Sequence, residues 1–161
     1  MLNFKNLERD CADSGFLLTN EASNLAKGLS KSDMLLKSDK SKIVNTITKA
    51  IGVLSADGPF AYIIWLEYKG SLKSKAKDLE EGVAKIIYQK SFELLKKEEF
   101  IKNSNNYKEL REIFTGKNEN PGICHDIYQM FLVKGILEKM LTYALYSARA
   151  LEVKETKEKE E

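Results

Sequence analysis

Proline is almost missing from this sequence: two residues in 161, with only nine glycines beside them. A protein built from many short strands needs far more of both at its turns, so an all-β fold is excluded. Cysteine is equally scarce. Cys11 and Cys124 cannot supply a disulfide framework and suit a reducing compartment, so the expected location is cytoplasmic. Long apolar runs are missing as well. The longest, Phe60 to Leu66, falls far short of the roughly 20 residues that a membrane-spanning helix needs. The opening Met1-Leu2-Asn3-Phe4-Lys5 has no signal-peptide core. Neither a glycine-rich phosphate loop of the G-x-G-x-x-G type nor a G-K-[ST] motif occurs.

Hydrophobic residues at 43% and charged residues at 31% make a globular composition long enough for one domain. Its periodicity is helical throughout. Phe4, Leu7, Cys11, Leu18, Ala22, Leu25 and Leu29 draw one stripe along a long first helix, despite Gly15 inside it. Residues 30–40 read as a loop. A second helix runs from Ser41 to about Ala56, with Ile43, Val44, Ile47, Ala50, Ile51 and Leu54 on one side. Asp57-Gly58-Pro59 stops it and starts a third, Phe60 to Lys69, closed by Gly70. In that third helix Trp65, with Ala61 and Tyr68, is in phase with a core stripe. A fourth helix from about Ser74 follows, and its continuation or a fifth helix covers Phe92 to Ile101. Asn106 and Glu109 resemble a capping box ahead of a sixth, Tyr107 to Phe114. Asn120-Pro121 opens the longest and last, with Ile127, Phe131, Leu137, Leu141, Ala144, Ala148 and Leu151 in phase. The expectation is an all-α, single-domain bundle of about six to seven helices over residues 1–153, with long first and last helices. Residues 154–161 form a charged, disordered tail.

The net charge of +2 is unevenly spread. Residues 27–77 hold ten lysines against four acids, a local excess of six positive charges, while each flank sums to −2. On the second helix Lys42, Asn45, Thr46 and Lys49 fall opposite the apolar side, and Lys69, Lys73, Lys75 and Lys77 follow the third. Lysines and short polar side chains on one ridge suit phosphate oxygens and sequence-independent binding. The candidate backbone-binding residues are therefore Lys42, Asn45, Lys49, Lys69, Lys73, Lys75 and Lys77. Catalytic chemistry is poorly served. Cys124 and His125 are adjacent, which on a helix sets their side chains about 100° apart and keeps a thiol from its base. One histidine and an isolated second cysteine leave zinc unsupported. Carboxylate pairs such as Glu80-Glu81 and Glu98-Glu99 sit among lysines as helix-surface charges. No enzyme activity, cofactor, metal or small-molecule substrate is expected.

Three features together resemble the small all-helical subunit of type III-B CRISPR effector complexes, the Cmr small-subunit family. They are the helix–glycine–helix run from Lys49-Ala50-Ile51-Gly52-Val53-Leu54 through Gly58 to Phe60-Ala61-Tyr62-Ile63-Ile64-Trp65 and Gly70; the Lys77-Asp78-Leu79 to Ile87 helix; and a long terminal helix from Tyr128-Gln129-Met130-Phe131 to Ala148-Arg149-Ala150-Leu151-Glu152. The chain departs from that family in lacking a basic, tyrosine- and alanine-rich opening, and in having Leu145-Tyr146 where a basic pair is expected. The resemblance implies a non-catalytic subunit that stacks with copies of itself and with other effector subunits along guide RNA and target RNA. Two other classes fit the helical pattern. One is a helical or winged-helix DNA-binding regulator with helix-turn-helix at Lys77–Leu95 and a hairpin wing near 98–108. The other is a protein–protein scaffold pairing through its first and last helices.

Overall fold

In the computed structural model the described residues are 6–72, 74–101, 106, 109–117 and 120–154. They form α1 (Leu7–Ser30), α2 (Lys37–Lys69), α3 (Leu79–Lys97), α4 (Leu110–Thr115) and α5 (Ile127–Ala150). The fold is all-α apart from one two-residue antiparallel ladder, in which Gly116 and Lys117 (β1) pair with Pro121 and Asn120 (β2).

Among the described residues five α-helices stand where six to seven helices were expected. Of the two readings of Phe92 to Ile101 the continuation holds, since the fourth helix runs on unbroken to Lys97 as α3. No breaker interrupts it, and Val83, Ile87, Tyr88, Leu94 and Leu95 keep one buried face going. That unbroken run also removes the turn that a helix-turn-helix at 77–95 would require. The wing expected near 98–108 falls partly on 102–105, 107 and 108, outside the described residues, as does the expected start of the sixth helix at Tyr107. The break at Asp57-Gly58-Pro59 is real but is only a kink. Gly58 takes φ 88° and ψ 176°, a conformation that glycine reaches without steric cost, and helix resumes at once with proline in its first turn. The last helix begins later than Pro121. After β2 and a 3₁₀ turn (Ile123–His125), Asp126 caps α5 by accepting from the backbone N–H of Tyr128 at 2.8 Å and Gln129 at 3.3 Å. The first and last helices are long, at 24 residues each, yet α2 at 33 is the longest.

Packing follows from small residues on α1. Its buried stripe is Cys11, Gly15, Leu18, Ala22 and Ala26, not the larger Leu25 and Leu29. α5 runs alongside in the same sense: Cys11 Sγ lies 3.7 Å from Ile136 O, and Thr19 Oγ1 donates to Ala144 O at 3.0 Å. The first half of α2 runs antiparallel to α5. Lys40 Nζ donates to Leu151 O at 2.7 Å at one end, and Lys134 Nζ to Ser55 O at 2.9 Å at the other. The second half of α2 lies antiparallel to α3, through Tyr62 and Ser91 hydroxyls 2.8 Å apart and a Lys69–Glu80 ion pair. There the buried positions are Tyr62, Ile63 and Leu66; Trp65 is only half-buried and Tyr68 is 83% exposed, so the core stripe is rotated from the expected one. Phe114 of α4 stacks on Phe60 and closes that end. Lys154 N–H donates to Leu35 O, and the expected tail beyond it, 155–161, lies outside the described residues. α2 is long and apolar enough on composition to cross a membrane, but it is kinked at mid-length and carries exposed lysines on its first half.

Where α3 ends against α1, two carboxyl groups meet. Burial, and then hydrogen bonding to Asp10, raises the pKa of Glu98, while the Lys97 ammonium at 2.7 Å lowers that of Asp10. Arg9 is the other charge that acts on Asp10. Folded protein therefore holds a proton on Glu98 more tightly than unfolded protein does. The contribution is stabilising below the ordinary value of 4.5 and disappears as pH rises through the raised one. Glu98→Gln keeps a donor for Asp10 without the charge. It should raise stability at pH 7 by about 1 kcal/mol, the worth of an ordinary hydrogen bond. The gain should vanish at pH 4, as thermal melts at the two pH values will show.

Candidate nucleic-acid interface

The apolar positions of α2 point its first half inward through Ile43, Ile47, Ala50 and Leu54. With 100° between successive residues, Ser38, Lys42, Asn45, Lys49, Gly52 and Ala56 then form a narrow outward strip, flanked by Ser41, Thr48 and Ser55. All nine are exposed. Lys42 is 52% exposed and 4.0 Å from Asp39, whose own side chain is turned inward at 12%. Lys49 has no ion-pair partner among the described residues. Thr46, expected on this face, is buried instead, and its hydroxyl donates to Lys42 O at 2.8 Å within the helix. Thr48 takes the exposed place, because it lies about 80° to the other side of the strip's centre. The result is a ridge of ammonium groups separated by side chains no larger than asparagine, over which an extended anion can lie close.

The second lysine group is placed differently. Lys69 pairs with Glu80 at 3.2 Å and is half-buried. Lys75 and Lys77 are exposed on the loop between α2 and α3, while Lys73 lies outside the described residues. That loop is bound to the acidic first turn of α3. Glu81 accepts from Lys77 N–H at 2.6 Å and from Ser71 Oγ at 2.8 Å, and Asp78 caps the helix. These hydrogen bonds, the Lys77 backbone one foremost, hold the Glu81 carboxyl below its usual range. Glu80 thus pairs with Lys69, while Glu81 is held by the Lys77 backbone and Asp78 caps the helix beside the loop that carries Lys75 and Lys77. Lys49 and Lys69 are separated by 20 residues, about 30 Å were the helix straight. Lys42, Asn45 and Lys49 come together; Lys69, Lys75 and Lys77 form a separate group in which Lys69 is paired with Glu80.

A cleft of about 560 Å³ opens beside that second cluster, between the end of α2 and α4. Ile64, Tyr68 and Leu72 wall it, and the Glu67–Arg111 pair lies across it. The Glu67 carboxylate accepts from Arg111 Nε at 2.8 Å and from the Tyr88 hydroxyl at 3.4 Å. Burial and then the facing carboxylate push the Tyr88 phenol up, so it stays protonated and donating. Both Glu67 oxygens are therefore engaged. This salt-bridged cleft had no signal in the sequence, since Glu67 and Arg111 are 44 residues apart.

Cys124 and His125 are exposed on the 3₁₀ turn, and neighbouring atoms raise the Cys124 thiol pKa by desolvation. Cys11 is buried, with burial and then Glu98 pushing its thiol up to about 12. Among the described residues no group of three or more His, Cys, Asp or Glu could hold a metal ion. No family model, curated protein or solved structure matches the chain.

Proposed function

We propose that this protein is a non-catalytic, cytoplasmic subunit that binds RNA through the phosphate backbone, with the α2 ridge of Lys42, Asn45 and Lys49 along the strand. The resemblance to the Cmr small-subunit family supplies the setting: guide RNA and target RNA as the polyanions, with other effector subunits and copies of the chain beside it. The observation that carries the reading is the ridge itself. Over about five turns of helix its outward strip holds two ammonium groups and otherwise only serine, asparagine, glycine and alanine, with no carboxylate among its own residues. Binding of this kind reads charge and shape and leaves base identity unread. Lys69, Lys73, Lys75 and Lys77 are secondary in this reading, because acids stand among the described members of that group.

Binding of labelled single-stranded RNA should weaken steeply with salt, by about 0.7 in log–log slope for each phosphate neutralised. Lys42→Glu with Lys49→Glu should reduce that slope by at least about 1.4 and lower affinity tenfold or more at 50 mM salt. Lys75→Glu should have a much smaller effect. Binding that ignores ionic strength, or that survives the double reversal, rules the reading out.

A further inference from the structure

Four large apolar side chains in the first turns of α5 face outward. Ile127, Tyr128, Phe131 and Leu132 are 65%, 79%, 67% and 42% exposed. Ile127 and Phe131, expected in the core, lie off the buried stripe of Val133, Ile136, Leu137, Met140 and Leu141. At positions i, i+1, i+4 and i+5 they form one continuous strip over the first turns of the helix. Gly135, one turn on, is exposed, and a β-carbon there would meet nothing within 4 Å. A monomer seldom leaves a patch like this uncovered.

We propose that this strip is the interface of a closed two-fold pair with a second copy of the chain. Its shape is self-complementary. Antiparallel α5 helices crossing at Phe131 place that ring on its own copy and bring Ile127 of each protomer over the bare Gly135 of the other. Its charge permits pairing. Residues 127–133 carry none, and Lys134 at the edge is already held in its own chain by Ser55 O at 2.9 Å and Glu138 at 3.9 Å. Its area is of the right size. At roughly 200 Å² for a wholly exposed large side chain, the four offer about 500 Å². That is most of the ~800 Å² that each partner gives to a standard interface. An isologous contact of this kind stops at two, unlike a head-to-tail stack, which keeps growing.

The pairing does not depend on RNA binding, and the experiment separates the two. Sedimentation equilibrium of the full chain should show a monomer–dimer equilibrium with a dissociation constant on the order of 10 µM, given the modest area. Phe131→Asp should weaken it at least about 30-fold, as loss of a central anchor does. Because Phe131 is exposed, the circular dichroism melt of a monomeric variant should be unchanged, and its RNA binding should keep the same salt slope. In a Cys124→Ser background, Phe131→Cys should cross-link to itself on oxidation, while Tyr146→Cys, four turns along, should not. A wild-type chain monomeric at 100 µM, a species that grows past two, or cross-linking at residue 146 in place of 131 overturns the proposal. Dimers without RNA binding would leave it standing and remove only the reading under Proposed function.

Discussion

Gly15→Ala should lower the melting temperature by about 2–12 °C, although alanine is the better helix former. On propensity alone the change would gain about 1 kcal/mol. The new β-carbon, however, would sit 2.6 Å from Met140 O, 2.9 Å from Ala144 N and 2.9 Å from Tyr143 Cβ. Two of those are backbone atoms of α5, which cannot rotate away, so α1 and α5 must separate. The bond from Thr19 to Ala144 O is then stretched and packing is lost along Ala22 and Ala148. Forced overpacking of this kind costs about 1–3 kcal/mol beyond the propensity gain, and in a chain of this length each kcal/mol moves the midpoint by about 2–4 °C. Gly52→Ala is the control. Its β-carbon meets nothing within 4 Å, so stability should rise by up to about 1 kcal/mol. Thermal melts of the two variants side by side decide the matter, and equal shifts would mean that the α1–α5 contact is not close.

The second large effect belongs to Lys90, which is 8% exposed between α1 and α3. Its ammonium reaches Glu21 at 2.7 Å and Glu93 at 2.8 Å. Desolvation works to lower its pKa, but the two carboxylates outweigh it and the net shift is upward. The folded state therefore keeps the proton longer, so this contribution is intact below 10.5 and is lost only as pH climbs past that ordinary value. Removing both partners, Glu21→Ala with Glu93→Ala, strands a buried charge and should cost about 3 kcal/mol. Either single change should cost less than half of that, because the remaining carboxylate takes over. Lys90→Met, which removes the charge and keeps the apolar stem, should be within about 1 kcal/mol of wild type. Urea denaturation at pH 7 measures all four. A Lys90→Met variant as unstable as the double alanine would show that the ion triad itself holds the two helices.

Both effects turn on pairs far apart in the chain, and the same is true of what sequence reading missed. The apolar face of α2's first half and the outward placing of Lys42, Asn45 and Lys49 follow from local periodicity and were legible as such, whereas the interruption at Gly58 was legible as a break between two helices and is a kink within one. Trp65 and Tyr68 were placed one step of rotation off. A seven-residue run of apolar side chains, 60–66, has no polar face to orient it, and only contact with α3 selects Tyr62, Ile63 and Leu66. Ile127 and Phe131 kept phase with the core at long range, yet the inward direction of α5 is set by α1 and by the first half of α2, which meet it along Val133, Met140 and Ala144.

What the chain alone determined was its helical class, since little proline and glycine and a 3.6-residue apolar rhythm leave hydrogen bonding within segments as the economical solution for the backbone. It also determined the charge excess of its middle third. Only the tertiary structure decided how much of that charge is free. α3 brings Glu80 against Lys69, and its first turn ties Glu81 to the loop holding Lys75 and Lys77. Along the strip of α2, Asp39 stands 4.0 Å from Lys42 and Glu138 of α5 accepts from Ser55 at its far end, while Lys49 has no ion-pair partner among the described residues. A lysine's local field depends on the acids that folding places within a few ångströms of it, and helical periodicity carries no information about those partners.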